Sequence, residues 1–186
     1  MRTRTFVLIA ILSSISAVTA YHYVGTSLGG SQDQCPTIHV YFSPNGNCTT
    51  NIVSCIANAK STILVQAYSF TSAPIAEALT QAHKRRVHIQ VILDKSQRTA
   101  NYSSATFLFN ANIPVYIDTA HAIAHNKIMV IDDTTVITGS FNFTTAAENK
   151  NAENLLIIQS PPLAKIYTAN FNHHLGHSQP YERPEK

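Results

Sequence analysis

A chain of 186 residues, 45% of them hydrophobic and 12% charged, has the length of a single domain with a substantial core. Its formal charge is only +3 at pH 7, so any nucleic-acid footprint has to be local rather than spread over the surface. Beyond the amino terminus no segment approaches the roughly 20 apolar residues that cross a bilayer as a helix, which excludes a protein of several membrane-spanning helices.

In chain order, Arg2 and Arg4 precede an apolar run from Phe6 to Leu12, and Ala17-Val18-Thr19-Ala20 supplies small residues for cleavage. Residues 1–20 therefore read as a secretory signal peptide, placing the mature protein in the periplasm or outside the cell, with an inner-membrane anchor by an uncleaved signal as the alternative. Cleavage removes two cations and no acid, so the formal charge falls from +3 to +1. Residues 21–36 read as a flexible lead. Cys35, Cys48 and Cys55 are an odd number for an oxidising compartment, which permits one bridge and one free thiol and leaves the pairing open.

Strands and helices then alternate. Strands are predicted over Thr37–Phe42, Ser61–Tyr68, Val87–Leu93 and Pro114–Ile117, and helices over Thr50–Asn58, Ala73–Lys84 and Ala100–Phe109. A hairpin, a strand over Leu155–Gln159 and a helix over Pro162–Asn172 complete a domain spanning 37–175, with 176–186 as a tail. This pattern predicts an α/β fold, a mixed sheet covered by helices on both faces. Lys84-Arg85-Arg86, with Lys95 and Arg98, is the densest cationic patch. It reads equally as a substrate contact or as a solvated helix end, where cations meet the negative end of the dipole. Tyr68, Phe70 and Phe107-Leu108-Phe109 read as core or interface packing rather than as base-stacking platforms.

The residues with specific chemistry lie in the hairpin. Lys127-Ile128-Met129-Val130-Ile131 is a strand-length apolar run, and alternation puts His125 and Lys127 on one face. Asp132-Asp133-Thr134 supplies the turn before Thr135-Val136-Ile137-Thr138. With the loop centred between Asp133 and Thr134, Lys127 falls opposite Ser140 and His125 opposite Asn142. Cross-strand pairs bring Cβ atoms to roughly 4.5–5.5 Å, which would gather an imidazole, an ammonium, a hydroxyl and a carboxamide. Such a patch suits a phosphodiester: the imidazole is a nucleophile or acid-base group near neutral pH, and the others hold phosphate oxygens. Asp132 has the wrong parity for that face and is expected to support the turn.

His125-x-Lys127, Asp132 five residues after the lysine, and then Gly139-Ser140-x-Asn142 together resemble the HKD motif of the phospholipase D superfamily. Asn151-Ala152-Glu153-Asn154, Val65–Ser72 and Val91–Lys95 resemble other stretches of that family. The likeness covers roughly 38 to 172 and is nearest to the small single-motif bacterial endonucleases of the Nuc type. With one motif in the chain, the resemblance implies a homodimer with a shared active site. It further implies a two-step reaction through a phosphohistidine on His125, without a metal or cofactor. Lys127 and Asn142 would bind the phosphoryl oxygens, Ser140 would support the phosphate site and Glu153 would orient a histidine. DNA is the expected substrate, with RNA open. A phospholipase acting on lipid headgroups and a noncatalytic nucleic-acid-binding protein of the same fold are the alternatives.

Metal binding has its own signals among the nine histidines. His121 and His125 stand four apart, but zinc ligands at that spacing need a helix and the sequence after His125 has strand character. His173, His174 and His177, close to Gly176 and Pro180, are expected on the solvated tail.

Overall fold

The computed structural model describes residues 35–100 and 103–183; the expected signal peptide and the lead up to residue 34 lie outside them. The β-branched runs form strands β1 (Thr37–Ser43), β2 (Thr62–Ala67), β3 (His88–Asp94), β4 (Val115–Asp118), β5 (Lys127–Ile131), β6 (Thr135–Gly139), β7 (Glu153–Gln159) and β8 (Gln179–Pro180). Between them lie α1 (Cys48–Asn58), α2 (Ala73–Lys84), α3 (Ala105–Asn110), α4 (Thr145–Asn149) and α5 (Pro161–Leu175). All eight strands form one sheet in the order β1-β7-β6-β5-β2-β3-β4-β8. The pairs β2–β3 and β3–β4 are parallel, and the rest are antiparallel.

Strand alternation divides the interior in two. Ile63, Val65, Val91, Met129, Ile131 and Ile137 pack with Ile52 and Ile56 of α1 and Ile75 and Leu79 of α2. The intervening residues Leu64, Ile92, Ile128, Val130 and Val136 pack on the opposite face with Ala164 and Phe171 of α5. A two-residue period cannot bury both sets unless both faces are covered, so the fold is the expected α/β sandwich with a mixed sheet.

The described ends of some elements differ from the sequence expectations. Helix α3 starts at Ala105, not Ala100, because Asp94 accepts from Ser96 N–H and caps a short 3₁₀ turn over Lys95–Arg98. The Ser103 hydroxyl then accepts from Ala105 N–H, so local side chains compete with the helix. Residues 176–181 are not a solvated tail. Gln179–Pro180 pairs with β4, and Tyr181 is buried with its hydroxyl 2.7 Å from the Thr106 hydroxyl. The open edge of β4 and the apolar ring of Tyr181 hold that segment.

Candidate active site

The β5–β6 register differs by one residue from the expected one. Met129 pairs with Ile137 and Ile131 with Thr135, centring the turn on Asp133. Asp132 and Asp133 both adopt left-handed conformations at φ 52°, which aspartate tolerates better than most residues. Extended along the ladder, this register would put Lys127 opposite Gly139 and His125 opposite Phe141. A bulge then changes the alternation. Ser140 N–H and Phe141 N–H both donate to Asn154 O, at 3.1 and 3.2 Å, so two residues of one strand oppose one of the other. Gly139 enters the bulge at φ 144°, and a Cβ there would lie 2.3 Å from Asn154 O. The bulge therefore requires glycine.

Beyond it, Phe143 bridges Phe70, and its carbonyl accepts from Thr71 and Ser72 N–H, both at 2.9 Å. That fixes Asn142 beside the carboxyl end of β2. Its Oδ1 is buried without a hydrogen-bond partner in the protein.

His125 is exposed at the end of the loop entering β5, with its ring against Tyr68 at a centroid distance of 4.5 Å. Lys127 is 8% exposed; its Nζ donates to His125 O at 2.9 Å and lies 5.1 Å from the Tyr68 ring centroid. Burial pushes the Lys127 ammonium below its ordinary pKa, and the negative charge of Glu153 works in the opposite direction. Glu153 accepts from the Ser140 hydroxyl at 2.6 Å and from Asn151 Nδ2 at 3.0 Å. Ser140 Oγ in turn accepts from Asn154 N–H at 3.0 Å. The structure thus brings His125, Lys127, Ser140 and Glu153 into one neighbourhood, and the described contacts of Glu153 are to Ser140 and Asn151 rather than to a histidine. Tyr68, read from the sequence as packing, borders both His125 and Lys127. Its position immediately after a buried strand was the available signal.

Asp132 lies at the opposite end of β5. Its carboxylate accepts from Lys60, Ser61 and Thr62 N–H and from the Ser61 hydroxyl, at 2.7 to 3.0 Å. Burial acts to raise its pKa, but these bonds hold it below the ordinary carboxylate value. The cationic patch is divided: Arg85 donates to Ile56 O at 2.9 Å and Lys95 to His121 O at 3.1 Å, so both cations have structural partners.

His121 does not pair with His125. It turns instead to buried Asp118, where His174 and His177 also converge. His174, carried there because α5 runs on to Leu175, and His177 just beyond the helix are therefore packed against the end of β4, while His173 is exposed. Cys48 and Cys55 are free thiols.

Residues 52–175 match the family model described as cardiolipin synthase, PLD-like domain. The chain belongs to the phospholipase D-like family. It is 39% identical over 158 residues to a phospholipase D of Rickettsia conorii, covering 85% of this chain and 76% of that protein. It spans only 63 to 65% of the length of the phospholipases D from four other Rickettsia species. A mitochondrial cardiolipin hydrolase of Xenopus laevis is 30% identical over 140 residues, 75% of this chain and 64% of that one. Among solved structures, the phospholipase D family member Nuc from Salmonella typhimurium superposes with a TM-score of 0.76 at 36% identity. That match covers 80% of this chain and 99% of Nuc. This phospholipase D-like chain accordingly has the fold of a phosphodiesterase superfamily.

Proposed function

We propose that this chain is a metal-independent endonuclease of low sequence specificity, hydrolysing DNA, with RNA open, in a homodimer with a shared active site. The observation that carries the reading is the buried Lys127 side chain, whose ammonium is fixed on the His125 carbonyl and shares the Tyr68 ring with the exposed His125 imidazole: a held cation near an accessible nucleophile. In the first step His125 attacks phosphorus, and His125 of the partner subunit protonates the leaving oxygen. In the second, water deprotonated by that histidine attacks phosphorus and releases His125. Lys127 and the Asn142 amide hold the phosphoryl oxygens, as fixed donors that need no reorganisation when charge develops. Glu153 holds the Ser140 hydroxyl at the rim. The two histidines work in opposite protonation states, so the pH–rate profile is bell-shaped.

The dimer is supported by the edge strand β1, where every second residue is apolar and Ile38, Val40 and Phe42 are 50%, 49% and 65% exposed. A row of apolar side chains on an open edge is a surface that proteins cover. The signal peptide expected from the sequence of residues 1–20 supports a periplasmic or secreted location. A lipid phosphodiester is the second reading, favoured by the names of the Rickettsia and Xenopus relatives.

The test is cleavage of plasmid DNA, RNA, phosphatidylcholine and cardiolipin by purified protein, with and without EDTA, well below the unfolding temperature and beside His125→Ala. Nucleic acid should be cut in both conditions and not by the variant. Activity lost with EDTA while the protein stays folded, or retained by His125→Ala, would refute the mechanism. Turnover of lipid alone would select the second reading, and an active monomer in sedimentation would refute the shared site.

A further inference from the structure

Asp118 ends β4 with its side chain fully buried, yet three imidazoles meet its carboxylate. Oδ2 lies 2.8 Å from His174 Nδ1, 3.0 Å from His121 Nδ1 and 3.3 Å from His177 Nε2. The other oxygen accepts from Ala120 N–H at 3.0 Å and His121 N–H at 3.4 Å, and it too lies 3.1 Å from His121 Nδ1. A carboxylate offers about four lone-pair sites, so these five donors, three of them imidazoles, are more than Asp118 can satisfy by hydrogen bonding alone. The rings crowd as well, with His121 stacked on His174 at 4.9 Å and His177 5.2 to 5.3 Å from both.

One donor atom from each of these four residues lies within 4.8 Å of the others. Zinc takes nitrogen and oxygen ligands at about 2.0–2.2 Å in a tetrahedron, which sets donor atoms roughly 3.3–3.5 Å apart. An ion entering the cluster would widen its shortest contacts and draw in its longest. The donors form two short-spaced pairs, Asp118-x-x-His121 and His174-x-x-His177, each fixed where a secondary-structure element ends. Three imidazoles and one carboxylate suit zinc. Calcium and magnesium prefer six or more oxygen ligands, and the softest metals prefer thiolates.

We propose that Asp118, His121, His174 and His177 form a structural site for a divalent cation of the zinc class. Four protein ligands complete the coordination and leave no position for substrate, so the ion ties segments together instead of acting in the reaction. It fastens the end of α5 and the start of the β8 segment to the exit of β4. It also holds the loop from Asp118 that runs into His125. The inference is independent of the nuclease reading, because it concerns other residues and is read by binding.

The test uses the full chain stripped with chelator and titrated with zinc chloride against a chromophoric chelator, beside thermal unfolding. Expected are one zinc per chain and a rise in Tm of about 5–10 °C at zinc 100-fold above Kd. His174→Ala and His177→Ala should each weaken zinc by more than about 100-fold, beyond the effect of losing an outer-sphere partner. His121→Ala, in a loop, gives the same reading if a helical variant does not fold. His173→Ala, whose ring lies 5.5 Å from that of His177 outside the set of four, should bind zinc as wild type does. No stoichiometric binding, undiminished affinity in the folded ligand variants, or an equal loss in His173→Ala would overturn the site. Zinc removal should lower Tm while the folded protein keeps its phosphodiesterase rate, so a failure here is distinct from a failure of the proposed mechanism.

Discussion

Replacing Asp132 separates a structural role from a chemical one. Oδ1 accepts from Ser61 N–H, the Ser61 hydroxyl and Thr62 N–H, while Oδ2 accepts from Lys60 N–H at 2.8 Å. Asp132→Asn keeps the Oδ1 bonds and the tolerance for φ 52°, but it turns an amide donor toward Lys60 N–H. Lys60 is exposed and water can replace that partner, so the cost is about 1 kcal/mol. Asp132→Ala removes all four bonds. The part-buried charge-assisted bond to Thr62 contributes about 1.5–2 kcal/mol, and the exposed bonds about 0.5 kcal/mol each. A left-handed alanine adds about 1 kcal/mol.

The total for alanine is roughly 4 kcal/mol, a fall in Tm of about 8–16 °C at this chain length, against about 2–4 °C for asparagine. The pH dependence has a definite sign. The folded pKa of Asp132 is depressed, so its contribution is complete above the unfolded value near 3.9 and is lost as pH falls through the folded value. The stability gap between wild type and Asp132→Asn should therefore narrow below about pH 4. Thermal unfolding by circular dichroism gives the stabilities, and cleavage of a chromogenic phosphodiester well below Tm gives the rate. A loss of rate above about 100-fold in Asp132→Asn, with Tm changed by less than about 2 °C, would place Asp132 in the chemistry and refute the support role.

Gly139→Ala should lower Tm by more than about 4 °C, because its Cβ meets Asn154 O at 2.3 Å in a backbone region that costs about 1–3 kcal/mol. Its rate should fall further than unfolding explains, since the bulge aims Ser140 and Asn142; an unchanged Tm would refute the close approach. Tyr68→Leu should lower kcat/KM about 10-fold and Tyr68→Phe by less than about 3-fold, because the ring face and not the hydroxyl meets Lys127 and His125. Equal losses would point to the hydroxyl. Gln66 is buried with both amide atoms unpartnered, in a void with no room for water beside Asp118 and Asn126. Gln66→Leu should therefore raise Tm by about 2–8 °C in an unfolding scan, from relief of roughly 1–2 kcal/mol, and a lower Tm would mean that the amide has a partner in solution.

Parity along β5 was legible because it depends only on alternation: Lys127, Met129 and Ile131 share a face however the strand is paired. Register depends on turn geometry, and Asp132-Asp133 in left-handed conformations carries no glycine to mark it. Nor does Gly139 by itself say whether it ends a strand or opens a bulge; the answer lies in Asn154, fifteen residues on. The histidine cluster was legible only as fragments. Two pairs spaced by two residues stand more than fifty residues apart, and nothing local tells that α5 continues far enough to bring His174 to the end of β4. Packing of Phe171 and pairing of Gln179–Pro180 decide that, and both are long-range events. Tyr68 was seen but given to the core, since an aromatic after an apolar strand has the same pattern whether it faces the interior or a site.

Asp94 and Asp118 pair side by side where two parallel strands end, and each holds a different part of the segment leading to His125. Asp94 Oδ2 accepts Ala124 N–H at 2.7 Å, while Asp118 holds Ala120 N–H and the His121 ring. That segment is closed into a short arc before any ligand arrives, so its conformational entropy is lost during folding rather than on binding. Under the proposed mechanism, a substrate reaching this end of the sheet would meet an imidazole whose approach is already set, leaving its binding energy available for aligning phosphorus.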